Sequence, residues 1–257
     1  MKISIVTVCY NSEATIRDTI ESVLAQDYPN IEYIVVDGES KDRTMDIVRE
    51  YEDRIAVVVS EPDAGIYDAM NKGIRLATGD VFGILNSDDF FSSTDSISAI
   101  ASGFSEDNVD AVYGDLIYVS PENTDKTTRF YSVKRFTKTK IRMGIMPPHP
   151  TFYVKRKFFE QLGYYKTDYR VSADFELVSR FWLQGVHFYR VPKVIVTMRE
   201  GGISSSGLAG RIHQNKEIVR ACRENGIKTN LAVIGLKIPF KLISKLKRAP
   251  KYTMVNK

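Results

Sequence analysis

The regular alternation of strand-like and helix-like segments in the first ninety residues constrains the fold more than any other feature. The predicted strands, each a short apolar run, are 2–8, 31–36, 55–60 and 81–85. The intervening segments with apolar residues at helical spacing are 13–26, 42–52 and 65–76. Such a β-α-β series predicts an α/β fold with three layers, in which a mainly parallel central sheet lies between two layers of helices.

The middle of the chain carries a different pattern. Residues 110–119 and 127–133 look like short strands on either side of a polar stretch, which predicts an antiparallel hairpin that extends the sheet. Residues 157–162 and 174–184 have helical spacing, and 188–197 is predicted to be extended. The length of 257 residues suits one domain, or one domain with an appendage.

Composition excludes several classes of protein. No apolar run approaches the ~20 residues that a membrane-spanning helix needs. The N-terminus runs directly into the first predicted strand and lacks the apolar stretch of a signal peptide. The two cysteines, Cys9 and Cys222, lie far apart and indicate buried free thiols rather than a disulfide framework. We therefore expect a cytoplasmic protein.

Charge is distributed unevenly along the chain. The net charge is +4, yet residues 231–257 contain seven basic residues and no acidic one, so the remainder has a small acidic excess. A basic excess confined to a tail argues against nucleic acid as a partner. The tail mixes Leu, Ile and Phe with lysines, which suits a helix lying on an anionic membrane surface, here the inner face of the plasma membrane. A helix packed on the body with a solvated lysine face is the alternative.

Polar side chains follow all four predicted strands, and acids follow three of them. The residues are Tyr10, Asn11, Asp37, Asp63, Asp88 and Asp89. One acid at a strand end usually caps a helix or forms a turn. Three acid-bearing ends that meet at one edge of a parallel sheet instead indicate a ligand site, because such sheets bind ligands beyond the carboxyl ends of their strands.

The adjacent carboxylates of Asp88 and Asp89 are the sharpest chemical feature. They repel one another unless a cation or hydrogen-bond donors compensate. A few hard oxygen ligands suit Mg²⁺ or Mn²⁺, which also bind phosphate oxygens, whereas a turn that caps the next helix is the alternative. The chain lacks the glycine-rich phosphate loops of dinucleotide-binding and P-loop proteins, so a metal is the expected means of holding an anionic ligand.

Several ordered motifs resemble those of the family 2 glycosyltransferases, which share the GT-A (nucleotide-diphospho-sugar transferase) fold. The motifs are 6–11, 34–44, 77–81 and 85–89. Residues 60–73 are similar to a bacterial subgroup that makes surface polysaccharides and glycolipids. The resemblance covers roughly 1–205 and implies a GT-A domain there, with a nucleotide-sugar half to about 95 and an acceptor half after it. Residues 206–257 are then a helical C-terminal extension.

The resemblance implies roles for individual residues at the donor side. Tyr10 and Asn11 fall at the nucleotide pocket, where a ring stacks on a base. Asp37 and Asp63 fall where the family contacts the nucleoside, and Asn71 and Lys72 lie near the expected diphosphate path. Asp88 and Asp89 occupy the family's metal position in the form Asn-Ser-Asp-Asp, with Asp89 the preferred direct ligand.

The resemblance also implies a general base and an acceptor side. Asp174 stands where the family has its base, with Glu176 in reserve. From the residues alone, both acids also fit the first turn of a helix capped by Ser172. His149, in a proline-rich loop, and Asp115 are expected to face the acceptor, although a lone histidine is as often structural.

The implied activity is metal-dependent transfer of a sugar, with inversion, from a nucleotide-diphosphate sugar to a carbohydrate or lipid-linked hydroxyl. Two other functions remain open from the residues. A sugar nucleotidyltransferase shares this architecture but usually has a glycine-rich basic loop after its first strand. A non-catalytic nucleotide-sugar-binding module would keep the pocket without needing Asp174 or the metal acids.

Overall fold

The predicted parallel half of the sheet is present in the computed structural model, which describes residues 1–201 and 207–236. Its strands are β1 (Ile3–Cys9), β2 (Ile31–Asp37), β3 (Val57–Ser60) and β4 (Val81–Ile84). They lie in the order β3-β2-β1-β4, and each neighbouring pair is parallel. β1, β2 and β4 are almost wholly buried, as their apolar runs predict.

The second half adds strands of both directions. These are β5 (Asp89–Phe91), β6 (Ala111–Ser120), β7 (Asn123–Tyr131), β8 (Tyr153–Lys155) and β9 (Phe188–Arg199). The order continues from β4 as β8-β6-β9-β5, with β7 paired to β6 as the predicted hairpin. β9 runs parallel to β6, whereas β8 and β5 are antiparallel to their neighbours. β5 and β8, of three residues each, have no counterpart among the predicted strands.

Helices cover both faces of this sheet. One face carries α1 (Ile16–Leu24), α2 (Thr44–Arg49) and α4 (Ser96–Gly103), whose apolar residues share one cluster with Ile5, Val35 and Val81. The helices that share a second cluster with Val6, Ile34 and Phe82 are α3 (Ile66–Leu76), α5 (Lys138–Arg142), α6 (Lys157–Leu162), α7 (Ala173–Leu183), α8 (Gly207–Glu224) and α9 (Leu231–Gly235). The three-layer α/β prediction is thus confirmed.

The C-terminal helices α8 and α9 belong to this second cluster rather than standing apart. Ile218, Ala221, Cys222 and Ile234 are buried in the same cluster as the sheet residues. Both cysteines are buried free thiols, as expected. In the described part of the chain no helix is long and apolar enough to cross a membrane. The basic tail lies almost entirely outside the described residues.

The sheet curls on itself between β4 and β5. Three strands separate them in the strand order, yet only residues 85–88 connect them along the chain. Four spacings of about 4.8 Å exceed what so short a segment spans even when nearly extended, at about 3.5 Å per residue. The curl therefore brings β5 back beside α1 and β4, and the connection carries Asp88.

Candidate active site

The strand ends of β1, β2 and β3 bring Tyr10 and Asp63 together on either side of Gly38. A Cβ atom at Gly38 would collide with the Asp63 carboxylate and would lie 3.5 Å from the Tyr10 ring. The Tyr10 side chain is 61% exposed, so its ring is available for stacking. Asp63 Oδ1 accepts a hydrogen bond from the Gly65 N–H at 2.8 Å, which fixes the carboxylate. An aromatic face and a fixed acceptor thus border one backbone surface.

Asp37 and Asn11 shape the loops of this edge. Asp37 is fully buried and accepts hydrogen bonds from Ser60 Oγ at 2.6 Å and from the Ser40 amide at 3.0 Å. The Asp37 oxygens face the protein in this structure, and the contact between Asp37 and a nucleoside stays a prediction. Asn11, at φ 49°, accepts from the Lys41 amide at 2.8 Å, and its backbone N–H donates to Ser40.

Asn71 and Lys72 both bond to groups of the protein. The Asn71 amide group pairs with the backbone of Tyr165 in both directions, at 2.8 and 3.0 Å, and is buried. Lys72 Nζ donates to the Pro62 carbonyl at 2.7 Å and pairs with Glu61 at 2.9 Å. Asn71 thus joins α3 to the loop before α7, and Lys72 holds the loop that carries Asp63. The polar atoms of Asn71 are already bonded to the protein, and its place near a diphosphate stays a prediction.

The two adjacent aspartates differ in accessibility. Asp89 begins β5 and is fully buried, with Oδ2 accepting from Asn86 Nδ2 at 3.1 Å. Burial, and next the charge of Asp88, raise the pKa of Asp89 well above its usual range. Asp88 is only partly buried, and burial raises its pKa as well. Asp88 is thus the more accessible of the two carboxylates, and the preference for Asp89 as the direct metal ligand stays a prediction.

The donor set around Asp88 fits a hard divalent cation that keeps waters and phosphate oxygens. Asn86 Oδ1 and Asp89 Oδ1 are buried beside it without a hydrogen-bond partner among the described residues. Residues 1–201 and 207–236 contain no cluster of three or more acidic, His or Cys side chains arranged for a metal. Mg²⁺ and Mn²⁺ need few protein oxygens, so Asp88, with the oxygens of Asn86 and Asp89 next to it, suits such an ion.

Arg199, at the end of β9, braces this turn. Its Nη1 donates to the Asp88 carbonyl at 2.8 Å, and its Nη2 forms an ion pair with Asp18 on α1. The guanidinium also lies over the Phe90 ring at 5.0 Å. Arg199 is the first residue of the segment 199–204, which contains two glycines and which the sequence predicts to close over the diphosphate as a loop. Residues 202–204 of that segment lie outside the described part.

Asp174 lies in the first turn of α7, where its carboxylate meets the side chain of Tyr67 from α3. The Phe175 N–H donates to Oδ1 at 2.7 Å, and interaction with the Tyr67 side chain lowers the pKa of this carboxylate. Burial raises the pKa of Asp174 to about 6 despite these interactions, and the negative charge of Glu217 acts in the same direction as burial. A carboxylate with this pKa is ionised at neutral pH and is a stronger base than an ordinary aspartate.

The sheet register places Asp89 in one row with residues of three neighbouring strands. Asp89 pairs with Met198, Met198 with Tyr118, and Tyr118 with Arg129, so these residues form one row across four strands. Burial raises the pKa of Tyr118, and among nearby charges Arg129 opposes this effect while Asp89 and Asp174 add to it. Tyr118 therefore lies within electrostatic reach of both Asp89 and Asp174. The guanidinium of Arg129 lies between the rings of Tyr118 and Tyr131, at 5.0 and 5.2 Å.

The three residues expected at the acceptor side are buried and bonded to protein groups. His149 Nε2 lies 2.7 Å from the Tyr165 hydroxyl, and burial lowers the pKa of His149 to about 4. Asp115 pairs with Arg190 at 2.6 Å. Glu176 pairs with Arg180 and Lys166, each at 3.0 Å. The polar atoms of these residues face structural partners in this structure, and their contact with an acceptor stays a prediction.

Sequence reasoning missed three residues of this site. They are Tyr67, Tyr118 and Arg129. Tyr67 lies within the 60–73 motif, but nothing in the motif indicates that its side chain lies beside Asp174. Tyr118 and Arg129 become neighbours of the acids only through strand pairing, for which the local sequence gives no signal.

The fold is that of the GT-A glycosyltransferases. The mannosyltransferase PcManGT from Pyrobaculum calidifontis, solved with GDP-Man and Mn²⁺, superposes with a TM-score of 0.68 and 22% identity, over 95% of this chain and 73% of that one. S. aureus TarS 1-349 in complex with UDP-GlcNAc gives 0.69 and 18%, over 91% of this chain and 70% of that one. These identities establish similarity of fold.

Similarity in sequence defines the family. A PGL/p-HBAD biosynthesis glycosyltransferase of Mycobacterium tuberculosis is 28% identical over 209 residues, which are 79% of each chain. An uncharacterised glycosyltransferase of the same organism is 31% identical over 181 residues, covering 69% of this chain and 68% of that one. Residues 4–163 match the family described as Glycosyl transferase family 2. The chain belongs to that family and is a glycosyltransferase.

Proposed function

We propose that the protein transfers a sugar, with inversion, from a nucleotide-diphosphate sugar to a hydroxyl group of a carbohydrate or lipid-linked acceptor in the synthesis of surface polysaccharide or glycolipid. The observation that carries this proposal is the Asp174 carboxylate. It lies in the first turn of α7, is oriented by Tyr67 and by the Phe175 amide, and has a pKa raised to about 6 by burial. Tyr118 on β6 lies within electrostatic reach of both Asp174 and Asp89.

Asp174 acts as the general base of a single displacement. Its free oxygen takes the proton of the acceptor hydroxyl as the hydroxyl oxygen attacks the anomeric carbon, and the bond from that carbon to the diphosphate breaks. The Tyr67 side chain and the Phe175 amide hold the carboxylate in one orientation. Correct orientation of a base toward its proton supplies much of the rate that such a residue contributes.

The donor binds where Tyr10 and Asp63 border Gly38. The exposed Tyr10 ring stacks on the nucleobase, and Asp63 accepts hydrogen bonds from the base or ribose. Two structural neighbours are described with UDP-GlcNAc and with GDP-Man, which supports a nucleotide sugar as donor here. The absence of a side chain at Gly38 lets the nucleoside approach the backbone between the ring and the carboxylate.

Asp88 is the residue that would hold a divalent cation, Mg²⁺ or Mn²⁺, with Asn86 and Asp89 behind it. When bound, such an ion neutralises negative charge on the leaving diphosphate. The part played by the protein is to keep the turn rigid, because Arg199 bonds the Asp88 carbonyl and ties it to Asp18. A neighbour solved with Mn²⁺ supports this assignment.

The basic tail is proposed to hold the enzyme at the inner face of the plasma membrane, near a lipid-linked acceptor. Seven basic residues without an acidic one follow residue 230, and Leu231 and Leu236 on either end of α9 are 50% and 57% exposed. The measurement is co-sedimentation with anionic vesicles of the full chain and of a chain that ends at Asn230. Equal partition of both chains would refute the anchor.

The activity is tested in two steps. A panel of nucleotide sugars is screened by thermal shift with and without Mn²⁺, because a ligand that binds the native state raises the melting temperature. The donor that stabilises the protein is then incubated with hydroxyl acceptors, and the glycosylated product is measured by mass spectrometry. We expect a shift that depends on Mn²⁺ and a product of inverted configuration. A product of retained configuration, or no shift with any donor, contradicts the proposal.

A further inference from the structure

Glu217 on α8 holds three consecutive backbone amides. Its carboxylate accepts hydrogen bonds from the N–H groups of Arg170 at 2.7 Å, Val171 at 2.9 Å and Ser172 at 2.9 Å. The residue is 7% exposed, although it belongs to a helix whose other charged residues are largely at the surface. A buried carboxylate with three amide donors is a strong and directional contact.

These amides lie directly ahead of the helix that carries Asp174. Ser172 is the N-cap of α7, and its own side chain makes no capping hydrogen bond. The amides at a helix start lack partners within the helix, so they need acceptors from elsewhere. Glu217 provides that acceptor from a separate helix for the chain that enters α7, two to four residues before Asp174. The direction of the first turn of α7 therefore depends on α8.

Charged and titratable groups surround this contact on every packed element. Burial opposes the ionisation of Glu217, but the three amides and His213, 3.1 Å away on α8, hold its pKa below the usual range. The groups that face Asp174 are Tyr67 on α3, Tyr165 before α7, Glu217 itself, and Tyr118, Tyr131 and Arg129 on the hairpin. Glu217 is thus ionised at neutral pH, and its charge acts on Asp174.

We propose that Glu217 is a positioning residue for sugar transfer, which sets the location of Asp174 through the 170–172 backbone and so makes the C-terminal helix α8 part of the catalytic apparatus. The inference rests on the proposed role of Asp174. It explains why a helix beyond the family match, which ends at residue 163, is packed into the same core as the sheet.

The test replaces Glu217 by Gln in the full chain. Glutamine has one acceptor oxygen and a donor group that faces an amide donor, so at least one of the three amides loses its partner. We expect kcat to fall about 10- to 100-fold, as displacement of a reacting group by about 1 Å does, while KM for the donor stays within about twofold. Loss of the negative charge moves the acidic limb of the pH–rate profile to lower pH. Deuterium exchange of the 170–172 amides becomes faster.

The matched control is Glu224→Gln on the same helix. Glu224 pairs with Lys166 and Arg220 and accepts a hydrogen bond from Tyr169 at 2.9 Å, but it accepts none from the amides of residues 170–172. We expect this variant to keep the wild-type kcat and pH profile. If Glu217→Gln does not fold, Glu217→Asp replaces it, since it keeps the charge but withdraws the carboxylate by one methylene. A wild-type kcat in whichever Glu217 variant folds overturns the proposal.

The exchange measurement separates two kinds of failure. If the wild-type protein transfers no sugar, the proposed function fails, while faster exchange at 170–172 in Glu217→Gln still shows that Glu217 holds this backbone. If wild type and Glu224→Gln are active and Glu217→Gln is equally active, the positioning role fails and the proposed function stands. A low kcat in Glu217→Gln with unchanged donor KM and a shifted pH profile supports the role.

Discussion

The Tyr67 side chain lies beside the Asp174 carboxylate and lowers its pKa, and this contact joins two parts of the molecule that are distant in sequence. Tyr67 belongs to α3, beside the strands that carry the nucleotide pocket, whereas Asp174 begins α7. The Tyr67 ring also stacks on Tyr165, with centroids 5.8 Å apart, and Tyr165 bonds His149. The proposed base is therefore supported by a buried aromatic network rather than by its own helix alone.

Replacement of Asp174 by Asn should reduce kcat by 10²–10⁴-fold, the usual contribution of a general base. Donor affinity should not change. The pKa of Asp174 is raised to about 6, so the folded state holds this proton more tightly than the unfolded state does. Ionisation thus opposes folding as pH rises through 4 to 6, and the Asn variant should melt no lower than wild type at pH 7. Wild-type turnover in this variant would defeat the assignment.

Activity should decline below pH 6, because a base must be ionised to accept a proton. At pH 5 we expect kcat to be about one tenth of its plateau value if this group controls the limb. Tyr67→Phe removes the hydroxyl of a side chain that lowers the pKa of Asp174, so the acidic limb should move to higher pH. The measurement is a kcat–pH profile at saturating donor. Identical profiles for wild type and Tyr67→Phe would show that Tyr67 does not affect the pKa of the proposed base.

Asp88→Asn and Asp89→Asn should differ although the residues are adjacent. Asp88 is the accessible carboxylate, so its loss should abolish the Mn²⁺-dependent part of the thermal shift and reduce kcat about 100-fold. Asp89 is fully buried, and Asn has nearly the same shape, so Asp89→Asn should stay within about tenfold of wild type. Calorimetric titration with Mn²⁺ and donor checks both variants. Loss of Mn²⁺ binding in Asp89→Asn alone would reverse the assignment.

Tyr10→Ala should weaken nucleotide binding without affecting the fold. The ring is 61% exposed, and base stacking on an aromatic side chain contributes about 1–3 kcal/mol, which corresponds to roughly a 5- to 150-fold change in Kd. Tyr10→Phe keeps the stacking face and is the control. The measurement is titration with the free nucleoside diphosphate. Equal affinity of the Ala variant and wild type would place the base elsewhere.

Glu32→Gln should lower the free energy of unfolding without changing the residues of the candidate active site. Burial would raise the pKa of Glu32, but hydrogen bonds from Lys2, Ser4 and Thr78 lower it to about 2. The loss should be roughly 1.5–3 kcal/mol per charged hydrogen bond removed. A lowered pKa stabilises the folded state above the unfolded pKa, so the difference from wild type should narrow as pH falls from about 4.5 toward 2.

Denaturant unfolding of Glu32→Gln measures this loss, with Glu50→Gln as the control. Glu50 pairs with Arg17 at the surface, where its side chain is 51% exposed, and such pairs contribute little. Equal unfolding midpoints for wild type and Glu32→Gln at pH 7 would contradict the expectation.

The parallel half of the fold was predictable because each of its strands is a short apolar run between amphipathic helices, and β1, β2 and β4 are buried. β5 and β8 were not, since three residues such as Asp89–Phe91 show no periodicity and become a strand only by pairing with β9. Helix α4 was expected only as the helix that a turn at Asp88 would cap, whereas its N-cap residue is Asp95.

The location of the site at the strand ends was predictable, but the role of each acid was not. Asp88 and Asp89 are neighbours, yet Asp88 lies in the turn before β5 and is partly accessible, whereas Asp89 is the first residue of β5 and is buried. Asp37 and Asp63 differ in the same way, because Ser40 and Ser60 close around Asp37. Asn71 is occupied by a backbone 94 residues away, a partner that no local pattern indicates.

The curl of the sheet makes residues 85–88 a tether of fixed length. Because so few residues bring β5 back from β4, the architecture of the whole sheet sets the backbone position of Asp88. An inserted residue there would change the position of β5 and Asp88 relative to β4, while the pairing of β1, β2, β3 and β4 would be unaffected. Variants meant to change the proposed nucleotide-sugar specificity are therefore best made in the loops of Tyr10 and Asp63, which do not connect β4 to β5.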